Sequence, residues 1–516
     1  MIFHISLNTS TNSNSDLLSY ALCGLAIIWF ALIFIKKSNK EVPPLPPGPQ
    51  TLPLVGNLLS LDPELHAYFT NLSKSYGPIL TLRLGKIVGI VISSPALARE
   101  VLKDQDTIFA NRDVPAAGRE AVYGGSDIVW NPYGPEWRML RKVSVRGMLS
   151  NATLDSVSTL RRKEIQQMIK FFYKQSGKPI NVGEQMFLTV LNVTTHMLWG
   201  GTVKGDERTS LGAEFRQVIH EITQCLGMPN ISDFYPALAR FDLQGIQKKT
   251  KISAGKFDRI FERLIDQRMK EVCADLKKSK DFLQFLLKMK DEGDGKTKFT
   301  MTHLKALFMD MVVAGTDTSS NTMEFALSEM MYNPETLSKV QQELETVVGK
   351  NRTVEESDIQ NLPYLYAVMK ETLRLHPILP LLVPHCPRET CIVGEYTIPK
   401  GARVFINAWA VHRDPSIWEN PLEFRPERFL GSKMLDYSGN DFSYFPFGSG
   451  RRICAGTEMA VRMFMLSLAS LVHSFDWTMP DGESLDVEEK FGIVLKKRKA
   501  LVAKPTPRLS DASLYL

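Results

Sequence analysis

The sequence predicts a mainly α protein, a large helical body carrying small β-sheets, preceded by an N-terminal transmembrane helix. Three observations lead there. Amphipathic patterns of helical period fill most of the chain after residue 50, and runs with strand character are short and scattered. Hydrophobic residues make up 44% and charged residues 23%, the balance of a folded chain with a sizeable core. One uncharged segment near the start is long enough to span a bilayer.

That segment is residues 17–35, LLSYALCGLAIIWFALIFI. At about 1.5 Å per residue such a helix matches a hydrocarbon core of about 30 Å. Lys36 and Lys37 follow, and residues 1–16 hold no lysine or arginine. The positive-inside rule then puts residues 1–16 in the lumen and the body in the cytosol. A cleaved signal peptide would call for a basic leader and a shorter apolar run. Residues 36–50 form a basic, proline-rich hinge whose core, PPLPPGP, is stiff and cannot continue the helix. Residues 51–516 form the cytosolic body, in which no second domain boundary stands out. The formal charge of +6 is spread along the chain; it suits an acidic protein surface and gives no sign of nucleic-acid binding. Six cysteines without a CxxC pair indicate a reducing surrounding.

Within the body, β-like runs fall at 79–84, 88–93, 396–398, 403–407 and near the C-terminus. The longest helical pattern covers 302–333, where Asn333-Pro334 stops it. Gly315, beside Thr316, Asp317 and Thr318, marks a kink site in its middle. The polar stretch 288–298 reads as a loop.

The richest chemistry lies in FGSGRRICAG, residues 447–456. A glycine-rich loop presents one cysteine, Cys454, just before an apolar helix. Gly448, Gly450 and Gly456 allow unusual backbone angles and close approach to a flat ring. Nearby cations and loop N–H groups favour the thiolate, the form that binds metal. A haem iron held by thiolate performs oxygen chemistry. Arg452 suits a carboxylate partner such as a haem propionate. Glu371 and Arg374 stand three apart on one face of an apolar helix, where a buried pair wants a third partner; Arg428 in PERF is the candidate. AGTDT, residues 314–318, offers a threonine hydroxyl and an acid for proton delivery, although threonines also bond back to their own helix. Trp137 and Arg141, four apart, share a helix face.

Taken together these motifs resemble the cytochrome P450 family along essentially the whole chain: FxxGxRxCxG at 447–456, ExxR at Glu371 and Arg374, PERF at 426–429, AGTDT at 314–318, WxxxR at 137–141, and a PPGP hinge after an anchor. The details are similar to the plant microsomal group, nearest the subgroup with cotton δ-cadinene hydroxylase and the valencene oxidases. The resemblance implies haem b with Cys454 as the axial iron ligand. It implies that Trp137, Arg141, His385 and Arg452 hold the propionates and that Phe447 packs near the thiolate. Thr318 and Asp317 would deliver protons during O–O cleavage, and Glu371, Arg374 and Arg428 would be structural. It also implies dioxygen and NADPH-derived electrons as co-substrates. The donors would be NADPH–cytochrome P450 reductase and cytochrome b5, on the endoplasmic reticulum membrane. Arg138, Lys142, Arg146 and Arg451 are the candidate reductase-facing cations.

Substrate-lining residues are expected at Asp310, Met311, Ala314, Leu379, Val383 and Ile493. The lining also draws on Leu381, Leu382 and the segments 111–129, 211–247 and 491–493. This largely apolar set ranks a sesquiterpene-like terpenoid first and a flavonoid or flavone second, with Asp310, Asn111 or Arg112 bonding phenolic oxygens. Two other classes stay open: a thiolate-haem isomerase or dehydratase that uses no dioxygen, and a non-catalytic haem protein.

Overall fold

The computed structural model describes residues 43–200, 206–273, 281–292, 297–431 and 435–516. The anchor expected at 17–35 lies outside them. No helix among the described residues is long and apolar enough to cross a membrane.

Helices dominate, and ten organise the molecule: α1 Leu65–Tyr76, α2 Pro135–Ser144, α3 Ser158–Lys174, α4 Val182–Trp199, α5 Asp206–Gly227, α6 Ile246–Cys273, α7 Met301–Tyr332, α8 Pro334–Val347, α9 Pro363–Leu375 and α10 Thr457–Ser474. α7 runs through the middle and packs against α4, α9 and α10. Its start is fixed by a capping box. The Thr300 hydroxyl accepts from the His303 N–H at 3.3 Å, and His303 Nδ1 accepts from the Thr300 N–H at 3.2 Å. Its end is fixed by Pro334, which cannot extend it and opens α8 instead. The helix runs without a break through Gly315. Phe308, Leu365, Leu468 and Phe172 fill the core between these elements.

Among the described residues, ten short strands form the sheets: β1 Ile79–Leu84, β2 Ile87–Ile92, β3 Ile180–Asn181, β4 Cys391–Val393, β5 Tyr396–Ile398, β6 Arg403–Ile406, β7 Phe475–Thr478, β8 Glu489–Lys490, β9 Lys496–Lys497 and β10 Val502–Pro507. β1 pairs antiparallel with β2 (Leu80 opposite Val91), and β2 pairs parallel with β6 (Ile90 opposite Val404). The proline-rich hinge is laid on this region: the Pro47 carbonyl accepts from the Thr81 N–H at 2.8 Å, and the Pro44 carbonyl from the Thr397 N–H at 2.9 Å. A second sheet orders β3, β10 and β7.

The polar stretch expected as a loop at 288–298 begins inside a helix, Phe282–Glu292. Phe282, Leu283 and Leu286 bury one face of that helix, and this packing carries the turn through the charged residues.

Candidate functional site

The cysteine loop ends where α10 begins. The Cys454 N–H donates to the Phe447 carbonyl at 3.0 Å, and Cys454 Sγ accepts the Gly456 N–H at 3.3 Å. The N-terminal end of α10 adds a positive dipole end near the sulfur. Both place positive partial charge beside the sulfur. Two glycines make the loop possible. Gly448 and Gly450 have φ of 75° and 66°, and a Cβ on Gly450 would lie 2.0 Å from the Leu102 carbonyl oxygen. Any other residue at 450 would push the loop off its support.

Behind the loop, Glu371, Arg374 and Arg428 form the expected cluster. Arg374 Nε and Nη2 grip the Glu371 carboxylate at 2.7 and 2.8 Å, with both side chains fully buried. Arg428 Nε reaches the same carboxylate at 3.2 Å, and the Arg425 N–H at 2.8 Å. The remaining Arg374 donors go to the carbonyls of His412, Pro421 and Glu423. The cluster therefore ties α9 to the segment 412–428 with its charges satisfied.

A cavity of about 350 Å³ opens above Cys454, within the usual range of small-molecule sites. At one end four basic groups converge: Arg112, Arg141, Arg452 and His385 all line it, together with Trp137. Arg452 donates to the carbonyls of Ala110 at 2.6 Å, Ile128 at 3.1 Å and Asn131 at 2.5 Å. Trp137 Nε1 donates to the same Ile128 carbonyl at 3.0 Å. His385 Nδ1 donates to the Phe109 carbonyl at 2.9 Å, so its neutral ring presents Nε2 as an acceptor. Arg112 donates to the Val383 carbonyl, and its Nε is buried with no partner among the described residues. Burial lowers the Arg452 guanidinium to about 10. Burial, reinforced by Arg452, holds Arg112 well below the usual guanidinium range. Burial and the charges of Arg112 and Arg452 hold His385 well below its ordinary value. This is a crowded set of cations suited to anionic groups. Arg112, expected as a substrate contact, thus belongs with Arg452 and His385.

α7 forms another wall. Thr318 lines the cavity, and its hydroxyl bonds back to the Ala314 carbonyl at 2.6 Å. Asp317, expected to deliver protons, does not line the cavity. Its carboxylate is held by Lys496 Nζ of β9 at 2.9 Å and by Asn321 Nδ2 at 3.1 Å. Asp310 lines the cavity, yet its Oδ2 accepts the Ile128 N–H at 2.8 Å, and burial together with the charge of Asp127 holds its carboxyl well above the usual carboxylate range. Met311, Ala314, Leu379, Val383 and Ile493 line it too, as does Leu382, held at φ 50°. Leu381 turns instead into the neighbouring core with Phe69 and Leu80, and Phe491 stacks on His66.

Sequence reasoning missed Asp127, buried beside the cavity wall, and Lys496, whose partner Asp317 is 179 residues away and leaves no periodic signal. It also passed over Thr194, Ser319 and Thr322, hydroxyl residues of α4 and α7 on the cavity wall. Their helical spacing places them on inward faces, but nothing local separates an inward hydroxyl from a structural one.

The family model described as Cytochrome P450 matches residues 46–503. A flavonoid 3'-monooxygenase from Crocosmia x crocosmiiflora is 39% identical, over 93% of this chain and 95% of that protein. A geraniol 8-hydroxylase from Catharanthus roseus is 41% identical, over 93% and 97%. A solved structure of a zebra fish cytochrome P450 with progesterone superposes at a TM-score of 0.74, with 27% identity over 86% of this chain and 99% of that one. Fold, motifs and relatives agree: a haem-thiolate monooxygenase is the class they define. The chain belongs to the cytochrome P450 family.

The family implies a haem group, and the residues present fit one. A lone cysteine faces the cavity from a helix N-terminus. At the cavity's end, an orphaned buried Arg112 Nε and three further basic groups fit the two carboxylates of a porphyrin.

Proposed function

We propose that the chain is an NADPH- and dioxygen-dependent hydroxylase of a flavonoid-type phenolic compound. This reverses the order in which sequence alone ranked terpenoid and flavonoid. Relatives at 38–40% identity include flavonoid 3'-monooxygenases and flavonoid 3',5'-hydroxylases. The cavity observation that carries the reading is its mixed lining. Apolar walls (Val122, Val190, Leu226, Leu379, Val383) are punctuated by hydroxyls of Thr194, Thr223, Ser319 and Thr322. A flat, polyhydroxylated ring system uses both features, whereas a hydrocarbon uses only the first. A terpenoid alcohol is the second reading, favoured by geraniol 8-hydroxylases at 40–41% identity.

When bound, the haem group supplies dioxygen activation, with electrons delivered by a reductase. Cys454 would hold the iron through its sulfur, which the Gly456 N–H and the loop glycines position. Arg112, Arg141, Arg452, His385 and Trp137 would anchor the carboxylates, with Phe447 beside the cysteine loop. Charged carboxylates there would raise His385 back towards its protonated, donating form. Thr318 presents a hydroxyl at the cavity wall. Asp317, behind it on α7, exchanges protons with solvent by way of Lys496. The apolar lining excludes water from the oxidised carbon.

The body is anchored to the endoplasmic reticulum by residues 17–35 and meets an acidic reductase surface through Arg138, Lys142 and Arg146. These three are exposed and have no ion pair among the described residues. Arg451 is occupied by Asp106 at 3.0 Å and by Tyr133.

Substrate-induced spin shifts, read for flavones and flavanones against geraniol and sesquiterpenes, test the reading. Flavonoids should give the shift and, with reductase and NADPH, a product carrying one added oxygen. A shift with terpenes alone would reverse the ranking again.

A further inference from the structure

On one side the cavity is separated from solvent by a thin wall. The short helix Ala116–Ala121 and the turn after it place Ala121 and Val122 on the cavity, while Arg119 and Gly124 are exposed. The buried side chains of this segment are small ones, Ala117, Ala121 and Val122. Apolar contact alone therefore holds it weakly.

Polar contacts fasten both of its ends. At the start, the Ala116 N–H donates to Asp233 Oδ1 at 2.6 Å. At the finish, the Tyr123 hydroxyl donates to Asp258 Oδ1 of α6, also at 2.6 Å. Lys305 of α7 donates to the same Asp258 oxygen at 2.9 Å and to Glu262 at 2.8 Å. Its ammonium lies 5.9 Å from the centre of the Tyr123 ring. The wall, α6 and α7 thus meet at one phenol. Burial and the bond to Asp258 raise that phenol above its ordinary value, so it remains a donor.

The backbone makes tyrosine an unusual occupant here. Tyr123 directly follows the C-cap Val122, a place where glycine is usual, and its φ is 51°. Gly124 and Gly125 continue at 82° and 92°. The turn is closed by its own backbone: the Gly124 N–H donates to the Arg119 carbonyl at 2.8 Å, and the Gly125 N–H to the Val122 carbonyl at 3.0 Å. A bulky residue in the left-handed region persists where its surroundings fix it. The turn does not call for this side chain; the contact with α6 and α7 does.

We infer that Tyr123 is a positioning residue: through Asp258 and Lys305 its hydroxyl clasps the wall of Ala121 and Val122 onto α6 and α7, and so sets the rate at which molecules enter and leave the cavity. The clasp is reversible. Tyr123 is only partly buried and the Asp258 side chain is 32% exposed, so water can replace each partner when the turn swings out on its two glycines. Lys305 keeps Glu262 in the open form. The inference is the same for a flavonoid or a terpenoid substrate, since the clasp acts on the wall and not on the ligand.

The test uses phenylimidazole, a small ligand that binds haem iron through nitrogen whichever substrate the enzyme oxidises. Its association and dissociation rates are read by stopped-flow at the Soret band of the full-length holoprotein. Tyr123→Phe keeps the ring and loses the bond. Both rates should quicken by about tenfold, the effect of one hydrogen bond to a carboxylate, with the reduced carbon-monoxide spectrum unchanged. Tyr123→Gly suits the turn better than tyrosine but lacks the hydroxyl, so it should quicken both rates too. A role in shaping the turn alone would leave them as they are. Asp258→Ala should match Tyr123→Phe, and the double variant should be no faster than either alone. If Tyr123→Phe fails to fold, Tyr123→Gly and Asp258→Ala decide the matter. Wild-type rates in these single variants, faster dissociation without faster association, or effects that add in the double variant overturn the clasp.

Discussion

Arg374 uses all five of its N–H donors in the dry interior: two on Glu371 and three on the carbonyls of His412, Pro421 and Glu423. Such a residue cannot be replaced by a lysine, which lacks the fork. Arg374→Ala strands a buried Glu371 and should cost about 3–5 kcal/mol, read as a lowered denaturation midpoint and loss of haem on purification. Thr318 is the opposite case. Its hydroxyl makes one bond to its own helix, at Ala314, so Thr318→Val should leave stability almost unchanged. If the hydroxyl serves proton delivery, turnover should fall by about 10²-fold with the substrate spin shift intact. Turnover equal to wild type would remove Thr318 from the mechanism.

At the scale of elements, strands were legible where apolar runs met turn residues: β1 and β5 lie where the sequence put them. The expected helix 302–333 matches α7 to within a residue at each end, because Thr300 and Asn333-Pro334 are local signals. The helix at Phe282–Glu292 was not legible past Lys288, since tertiary burial of Phe282 and Leu286 overrides a polar run. In the site, spacing revealed Cys454, the Glu371–Arg374 pair and the Trp137–Arg141 face. It did not reveal Asp127 or Lys496, which acquire meaning only when distant elements meet. The same holds for His376, which links three elements. Its Nε2 meets Glu329 of α7 at 2.7 Å and its Nδ1 meets Glu489 of β8 at 2.6 Å, while His376 itself closes α9. Although burial works against the charged ring, both glutamates raise the His376 pKa above the ordinary value. A raised histidine contributes stability that is fully present below about pH 6.5 and is lost as pH rises through the folded value. His376→Asn should therefore lower the unfolding midpoint more at pH 6 than at pH 9. An equal loss at both would show that the ring is neutral in the fold.

At the scale of the whole molecule, the body presents exposed basic residues Arg138 and Lys142 on α2, on a face adjacent to that of Trp137, and Arg146 just after it. Reversing Arg138 and Lys142 to glutamate should slow reductase-supported turnover several-fold, with the effect shrinking at high salt. Peroxide-supported turnover, which needs no partner, should stay near wild type; equal loss in both assays would mean the charges support the fold instead of docking. The site centres on one atom, Cys454 Sγ, set on a glycine loop at the head of α10 with a set of cations at the cavity's end. The most direct measurement is the Soret spectrum of the reduced carbon-monoxide complex, taken on wild type and on Cys454→Ser. Wild type should show the red-shifted band of a thiolate ligand. The serine variant should lose it; a red-shifted band that persists without the cysteine would contradict the assignment of Cys454 as the iron ligand.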